Sequence, residues 1–129
     1  MNSQSKFAPV MVRAEKGEDS GFILANALPL PDISGTMIDR LDLWARLRGD
    51  KTFLSEPTPD GRRSITYAEA ASQSRDIAAR LLAFGRAHGL SSEHPVMIVA
   101  GNGIAHALVM LATMRIGWPS SVVSPTYCA

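Results

Sequence analysis

The sequence predicts an α/β fold of small antiparallel hairpins and one βαβ unit of a parallel sheet, and three observations carry the prediction. A Val/Met/Ile run at residues 95–100 leads into Gly101-Asn102-Gly103, then a nearly all-apolar stretch at 104–116, then a β-prone run at 120–124. That order is the buried strand, tight turn, buried helix and strand of a βαβ unit. Two strand-like runs, 51–56 and 63–67, flank the turn residues of 57–61 and read as a hairpin. Between hairpin and βαβ unit, Thr66 stands three residues before Glu69. This is the spacing at which each side chain satisfies the other's backbone amide at a helix start.

Taken in order, 7–13 and 21–26 are short apolar segments around a polar, glycine-bounded tract at 15–21, the pattern of a hairpin with its loop. Pro29, Pro31 and Gly35 then mark an extended connection. Residues 1–35 therefore read as an extended leader with a possible hairpin, and 36–129 as helix, hairpin, helix and βαβ. Thr36 can accept from the amide near Asp39, and Ile38, Leu41, Trp44 and Leu47 recur at helical spacing until Gly49. The expectation is a helix with one buried stripe. The second helix takes its apolar face from Ala70, Ile77, Ala78, Leu81 and Leu82, turns Arg75, Asp76 and Arg80 to solvent, is weakened at Gly85 and ends at Gly89.

The chain has 129 residues, the length of one compact domain, and its 46% hydrophobic and 19% charged residues suffice for a core. With 13 Lys and Arg against 12 Asp and Glu, the net charge of +1 gives no footprint for nucleic acid. Cys128 is the single cysteine, which excludes an internal disulfide and a multi-cysteine zinc site. Residues 1–12 lack the charged start and apolar run of a secretory signal, so the expected setting is cytoplasmic. The apolar run at 96–114 is broken by its two glycines, which argues against a membrane span. Lys6, Lys16 and Lys51 all lie early, Glu93 is the last acid, and Arg115 is the only formal charge after it. A closed fold normally returns its last element to a polar surface, so the gradient reads as that of a truncated chain.

Candidate chemistry is sparse. The Gly101-Asn102-Gly103 turn sits where a dinucleotide fingerprint would cradle a pyrophosphate, but His106 stands at the third glycine position and no acid follows to hold a ribose. His88, His94 and His106 include no pair at i, i+4, so no metal site is expected, and His106 reads as a buried, hydrogen-bonded side chain. Ser124 and Cys128 have no neighbouring base, and no catalytic residue is assigned. Arg46-Leu47-Arg48 and Arg62-Arg63 read as solvated surface, and Met97, Met110 and Met114 as core filler.

The series Thr52-Phe53-Leu54, turn, Ile65-Thr66-Tyr67-Ala68-Glu69-Ala70, Leu81-Leu82 and Pro95-Val96-Met97-Ile98 resembles the opening of AMP-forming acyl-CoA synthetases, of the adenylate-forming superfamily. Thr66-Tyr67-Ala68-Glu69 is similar to its first core motif. The stretches 101–108, 114–117 and 123–127 resemble its second core region, in wording closest to feruloyl-CoA synthases; Phe7-Ala8-Pro9 and Leu28-Pro29-Leu30 fit the same subfamily. The resemblance implies a partial N-terminal subdomain of an adenylate-forming enzyme. The complete enzyme would adenylate an aromatic, ferulate-like carboxylate with ATP and Mg²⁺ and pass it to coenzyme A. This chain has no lysine after Lys51, no Ser/Thr/Gly-rich phosphate loop and no acid after Glu93. It is therefore expected to be inactive alone, to bind none of these cofactors tightly, and to partner the missing C-terminal remainder of the fold. Asn102, Ser124 and Tyr127, at strand ends, are the substrate-proximal candidates. The alternative is a small self-contained α/β binding or interaction module without catalysis.

Overall fold

The computed structural model describes residues 11–17, 21–29 and 34–127. The chain divides into two units, Met1–Ser34 and Gly35–Ala129, each considered by itself. In the first, β1 (Val12–Lys16) pairs antiparallel with β2 (Phe22–Asn26), Val12 opposite Asn26 and Lys16 opposite Phe22. The first strand thus lies later than expected and runs through Glu15 and Lys16, residues assigned above to the loop. Both faces of β1 are exposed, so no apolar alternation fixes its limits. The Arg13–Glu15 ion pair at 2.8 Å and the Gly17 amide donating to the Gly21 carbonyl at 2.8 Å favour the observed extent. Residues 7–10 and 18–20 lie outside the described residues.

The second unit opens with α1 (Met37–Leu47). Thr36 Oγ1 accepts from the Asp39 amide at 3.2 Å and Asp39 Oδ2 accepts from the Thr36 amide at 2.6 Å, a full reciprocal cap of which the sequence reading contained only the threonine half. The C-cap is Arg48, just ahead of Gly49. The stripe is buried only at Ile38 and Leu41; Trp44 is 37% and Leu47 65% exposed. Trp44 instead carries the Arg48 guanidinium 4.9 Å above its ring.

β3 (Thr52–Thr58) and β4 (Gly61–Thr66) form the expected hairpin, with a shift in register between Thr52 and Leu54. Its turn is narrower than expected, because Pro57 and Thr58 are in the strand. A two-stranded sheet leaves one side of each strand unpaired, and a proline without an amide proton is tolerated there. Tyr67, read as strand, begins α2 (Tyr67–His88). The Thr66–Glu69 box is closed by bonds of 3.2 Å and 2.7 Å, and Gly89 ends the helix in the left-handed region at φ 68°.

The buried face of α2 is made of small residues, Ala70, Ala71, Ser74, Ala78 and Gly85, with Leu81 and Leu82 only half-buried. Gly85 is a point of close approach: a Cβ there would run into the Trp118 ring. Arg75 lies in solvent as expected, and from the surface it donates to Asp42 at 3.2 Å. β5 (Val96–Val99), α3 (Ile104–Ile116) and β6 (Ser120–Val123) complete the βαβ unit, with β5 and β6 parallel from Val96 opposite Ser120 to Val99 opposite Val123. A single 3-10 turn, Pro125–Tyr127, follows.

Ile38, Leu41, Ile65, Ala70, Ala71, Ile104, Leu108 and Leu111 form the core between α1, the hairpin, α2 and α3. The methionine assignment needs correction, since Met97 is 66% exposed and Met114 also lies on the surface; only Met110 is half-buried. Met97 alternates with Ile98 along β5, so it shares the sheet face opposite the buried isoleucine. One guanidinium binds the helix layer together. Arg115 reaches Asp42 of α1 through Nη1 and Nη2 and Ser74 of α2 through Nε.

Candidate functional site

The parallel pair defines the candidate site. β5 and β6 run in register to Val99 and Val123, so the segments beyond them leave from the same carboxyl edge. Open α/β sheets present ligands at that edge. Asn102 lies there, exposed in the turn before α3, and Ser124 follows β6 directly, also exposed. Ser124 Oγ lies 2.8 Å from Thr126 Oγ1 and accepts from the Thr126 amide at 3.4 Å, which shapes the exit from the strand. Tyr127 closes the 3-10 turn at the same edge. Cys128 lies outside the described residues.

Glu56 is the residue that sequence reading missed. β3 carries its side chain to the start of α3, where Oε2 accepts from the Ile104 amide at 2.6 Å while Oε1 lies 3.5 Å from Arg63 Nη1. Between β3 and the turn lies a cleft of about 250 Å³, lined among others by Leu54, Glu56, Asn102 and Ile104. The two partners are 48 positions apart, and no local pattern announces the contact. Gly103 held the only hint: it sits at the N-cap, where it offers no side-chain acceptor.

This contact gives the failed dinucleotide pattern a physical reason. An N-terminal helix amide that would face a phosphate is already bonded to the chain's own carboxylate. His106 is buried as expected, but its Nδ1 has no hydrogen-bond partner among the described residues, which corrects the hydrogen-bonded reading. His94 Nδ1 accepts from the Ser91 amide at 3.2 Å, and the His88 ring lies 4.3 Å from that of Phe84. Among the described residues no three potential ligands gather as a metal site, and no helix is long and apolar enough to cross a membrane. Arg62 and Arg63 lie on the surface, Arg62 donating to Ser55 and Arg63 facing Glu56 in an ion pair.

These elements, in this order, are those of an AMP-binding enzyme. The model of that family matches residues 41–129, and the chain belongs to it. Among solved structures the chain is similar to CmiS6, at 27% identity and a TM-score of 0.61 over 77% of this chain and 24% of that one. It also matches IdnL1 at 22% identity and a TM-score of 0.59, over 69% of this chain and 17% of that one. A fatty acid AMP ligase from Legionella pneumophila matches at 17% identity and a TM-score of 0.58, over 67% of this chain and 14% of that one. The last two likenesses concern the fold alone. The chain spans at most about a quarter of the length of these structures. No curated protein sequence matches it. Hairpins and a parallel strand pair in this order correspond to an N-terminal part of adenylate-forming enzymes.

Proposed function

We propose that this chain is the N-terminal portion of an ATP-dependent acid:CoA ligase that adenylates an aromatic, ferulate-like carboxylate and transfers the acyl group to coenzyme A in the cytoplasm. The observation that carries the reading is the family match from residue 41 onward, which includes the capped Thr66-Tyr67-Ala68-Glu69 motif and the βαβ unit. The aromatic preference rests on the wording of the 101–108 and 123–127 stretches.

The residues present do not fit a nucleotide site. Glu56 fills the start of α3, no lysine follows Lys51, and no acidic cluster among the described residues suits Mg²⁺. ATP, Mg²⁺ and coenzyme A therefore belong to the complete enzyme, and no step is assigned to this chain through them. Its own contribution is the scaffold and the carboxyl edge. There Asn102, with amide donor and acceptor, and Ser124 line the approach of acid or coenzyme A, with Tyr127 a substrate-proximal candidate by its position at the end of the turn that follows. The exposed Met97 and Val99 favour a larger fold over a self-contained module.

The product of the complete reading frame, given ferulate, ATP, Mg²⁺ and coenzyme A, is expected to release pyrophosphate and AMP and form a thioester. Failure to release pyrophosphate with any of a panel of aromatic and aliphatic acids overturns the ligase reading; activity on aliphatic acids alone overturns the aromatic one. The 129-residue chain by itself is expected to form no hydroxamate from acid, ATP and hydroxylamine.

A further inference from the structure

We infer that Glu56 is a positioning residue for the carboxyl-edge site: from β3 it holds the turn at residues 101–103 and so fixes where Asn102 is presented. The inference rests on the reading that this edge receives a ligand.

The first amides of a helix need acceptors from outside the helix. α3 begins at Ile104 behind the N-cap Gly103, which has no side chain to cap it, and Glu56 Oε2 supplies the acceptor at 2.6 Å from the Ile104 nitrogen. An ionised acceptor makes this one of the stronger classes of hydrogen bond, and its negative charge is favoured at a helix N-terminus.

The glycine and the carboxylate fit one another. Gly103 has φ −169°, an extended conformation open to any residue, so backbone freedom does not require glycine here. A Cβ at this position would lie 2.7 Å from Glu56 Oε2, so the carboxylate end would have to move away from where it holds the Ile104 amide. The second carboxylate oxygen faces Arg63 of β4 at 3.5 Å, so the orientation of the group is set from the hairpin. Asn102 is bonded directly to Gly103 and lines the same cleft as Glu56. A hold on the Ile104 amide therefore acts on the backbone that presents Asn102, and the hairpin is coupled to the sheet edge.

The clasp is tested by amide hydrogen exchange and backbone shifts in the full chain. Glu56→Ala is expected to speed exchange at Ile104 about tenfold, the effect of losing one such bond, and to move the Asn102 and Gly103 resonances while Leu108 and Leu111 keep their protection. Glu56→Gln, which retains a carbonyl acceptor, is expected to restore most of that protection, and Gly103→Ala to imitate Glu56→Ala. Unchanged exchange at Ile104 in both Glu56→Ala and Gly103→Ala overturns the clasp. If Glu56→Ala does not fold, Gly103→Ala against Glu56→Gln decides the same point.

The positioning role is read in the complete enzyme as KM for ferulate and for coenzyme A. Asn102→Ala and Glu56→Ala are expected to raise the same KM, with Glu56→Gln near the parent. If Asn102→Ala raises a KM and Glu56→Ala leaves it unchanged despite a freed turn, Glu56 does not position the site. If Asn102→Ala moves neither KM, the edge reading itself falls and the role of Glu56 with it, while the exchange data still report the clasp.

Discussion

Arg115 grips Asp42 with both terminal nitrogens, at 2.9 Å and 2.5 Å, and so joins the last helix to the first. Its Nε donates to Ser74 Oγ of α2 at 3.0 Å, and Ser74 in turn donates to the Ala71 carbonyl at 3.2 Å. The Arg115 side chain is only 10% exposed, against 29% for Asp42. A guanidinium so placed needs its partners more than a surface cation does.

Arg115→Ala is expected to cost about 2 kcal/mol, between the range for exposed pairs and that for fully buried ones, since it removes the paired contact with Asp42, the bond that Ser74 accepts and the packed stem. Arg115→Lys should recover little of this, because an ammonium cannot make the paired contact while reaching Ser74. Urea unfolding of the two variants checks both statements, and a lysine variant as stable as the parent contradicts them.

Acid should weaken the same layer. The hydrogen bonds from Arg115 hold the Asp42 carboxyl below its usual range against the opposing effect of partial burial, and the Thr36 and Thr66 amides lower Asp39 and Glu69 in the same direction. Each group therefore binds its proton more readily in the unfolded chain. The stability it confers is present above the unfolded pKa near 4 and is lost as pH falls through the lower folded value. Between pH 5 and 7 these carboxylates contribute no slope. Urea midpoints measured from pH 6 down to pH 2 should fall more shallowly in Asp42→Asn than in the parent, and identical acid slopes would exclude Asp42 as a contributor.

Gly85→Ala should destabilise, although alanine is the better helix former by about 1 kcal/mol. The added methyl meets Trp118 and lies 3.3 Å from the Leu90 carbonyl oxygen. Adding Trp118→Leu to Gly85→Ala should recover part of the loss relative to Trp118→Leu alone. Additive melting temperatures in the double-mutant cycle would show that the ring and the methyl do not meet.

Thr66→Ala removes the acceptor for the Glu69 amide and one half of the box, an expected loss of about 1 kcal/mol. Thr66→Asn and Thr66→Ser should retain most of it. Far-UV circular dichroism through a thermal melt ranks the three.

Met97→Glu should reduce hydrophobic-dye binding and self-association of the chain without lowering its unfolding midpoint, because Met97 is outside the core. Light scattering and a melt separate the two effects, and a lower midpoint would assign Met97 to packing.

Much of this architecture is legible in the residues. The Thr66–Glu69 spacing, the interrupted apolar run at 101–103 and the turn chemistry near Pro59 act over a few positions, so reading them needs no tertiary knowledge. What escaped depends on distant partners. Gly85 looks like a weak helix residue until Trp118 lies against it, and Glu56 looks like any strand carboxylate until α3 begins beside it. Met97 looks like core because composition reports hydrophobicity and not which sheet face a helix covers. At the site, the sheet edge followed from strand order, whereas the clasp depends on a contact across 48 positions.

The Arg115 contacts also set an order of events during synthesis. Its partners Asp42 and Ser74 lie 73 and 41 positions earlier, whereas the β3–β4 hairpin and the start of α2 are joined by near neighbours. On a ribosome the hairpin and α2 can form early, but α1, α2 and α3 cannot be locked together until Arg115 has left the exit tunnel. Until then Asp42 has only the exposed Arg75 as its partner, and the small-residue face of α2 is open to whatever apolar segment meets it first.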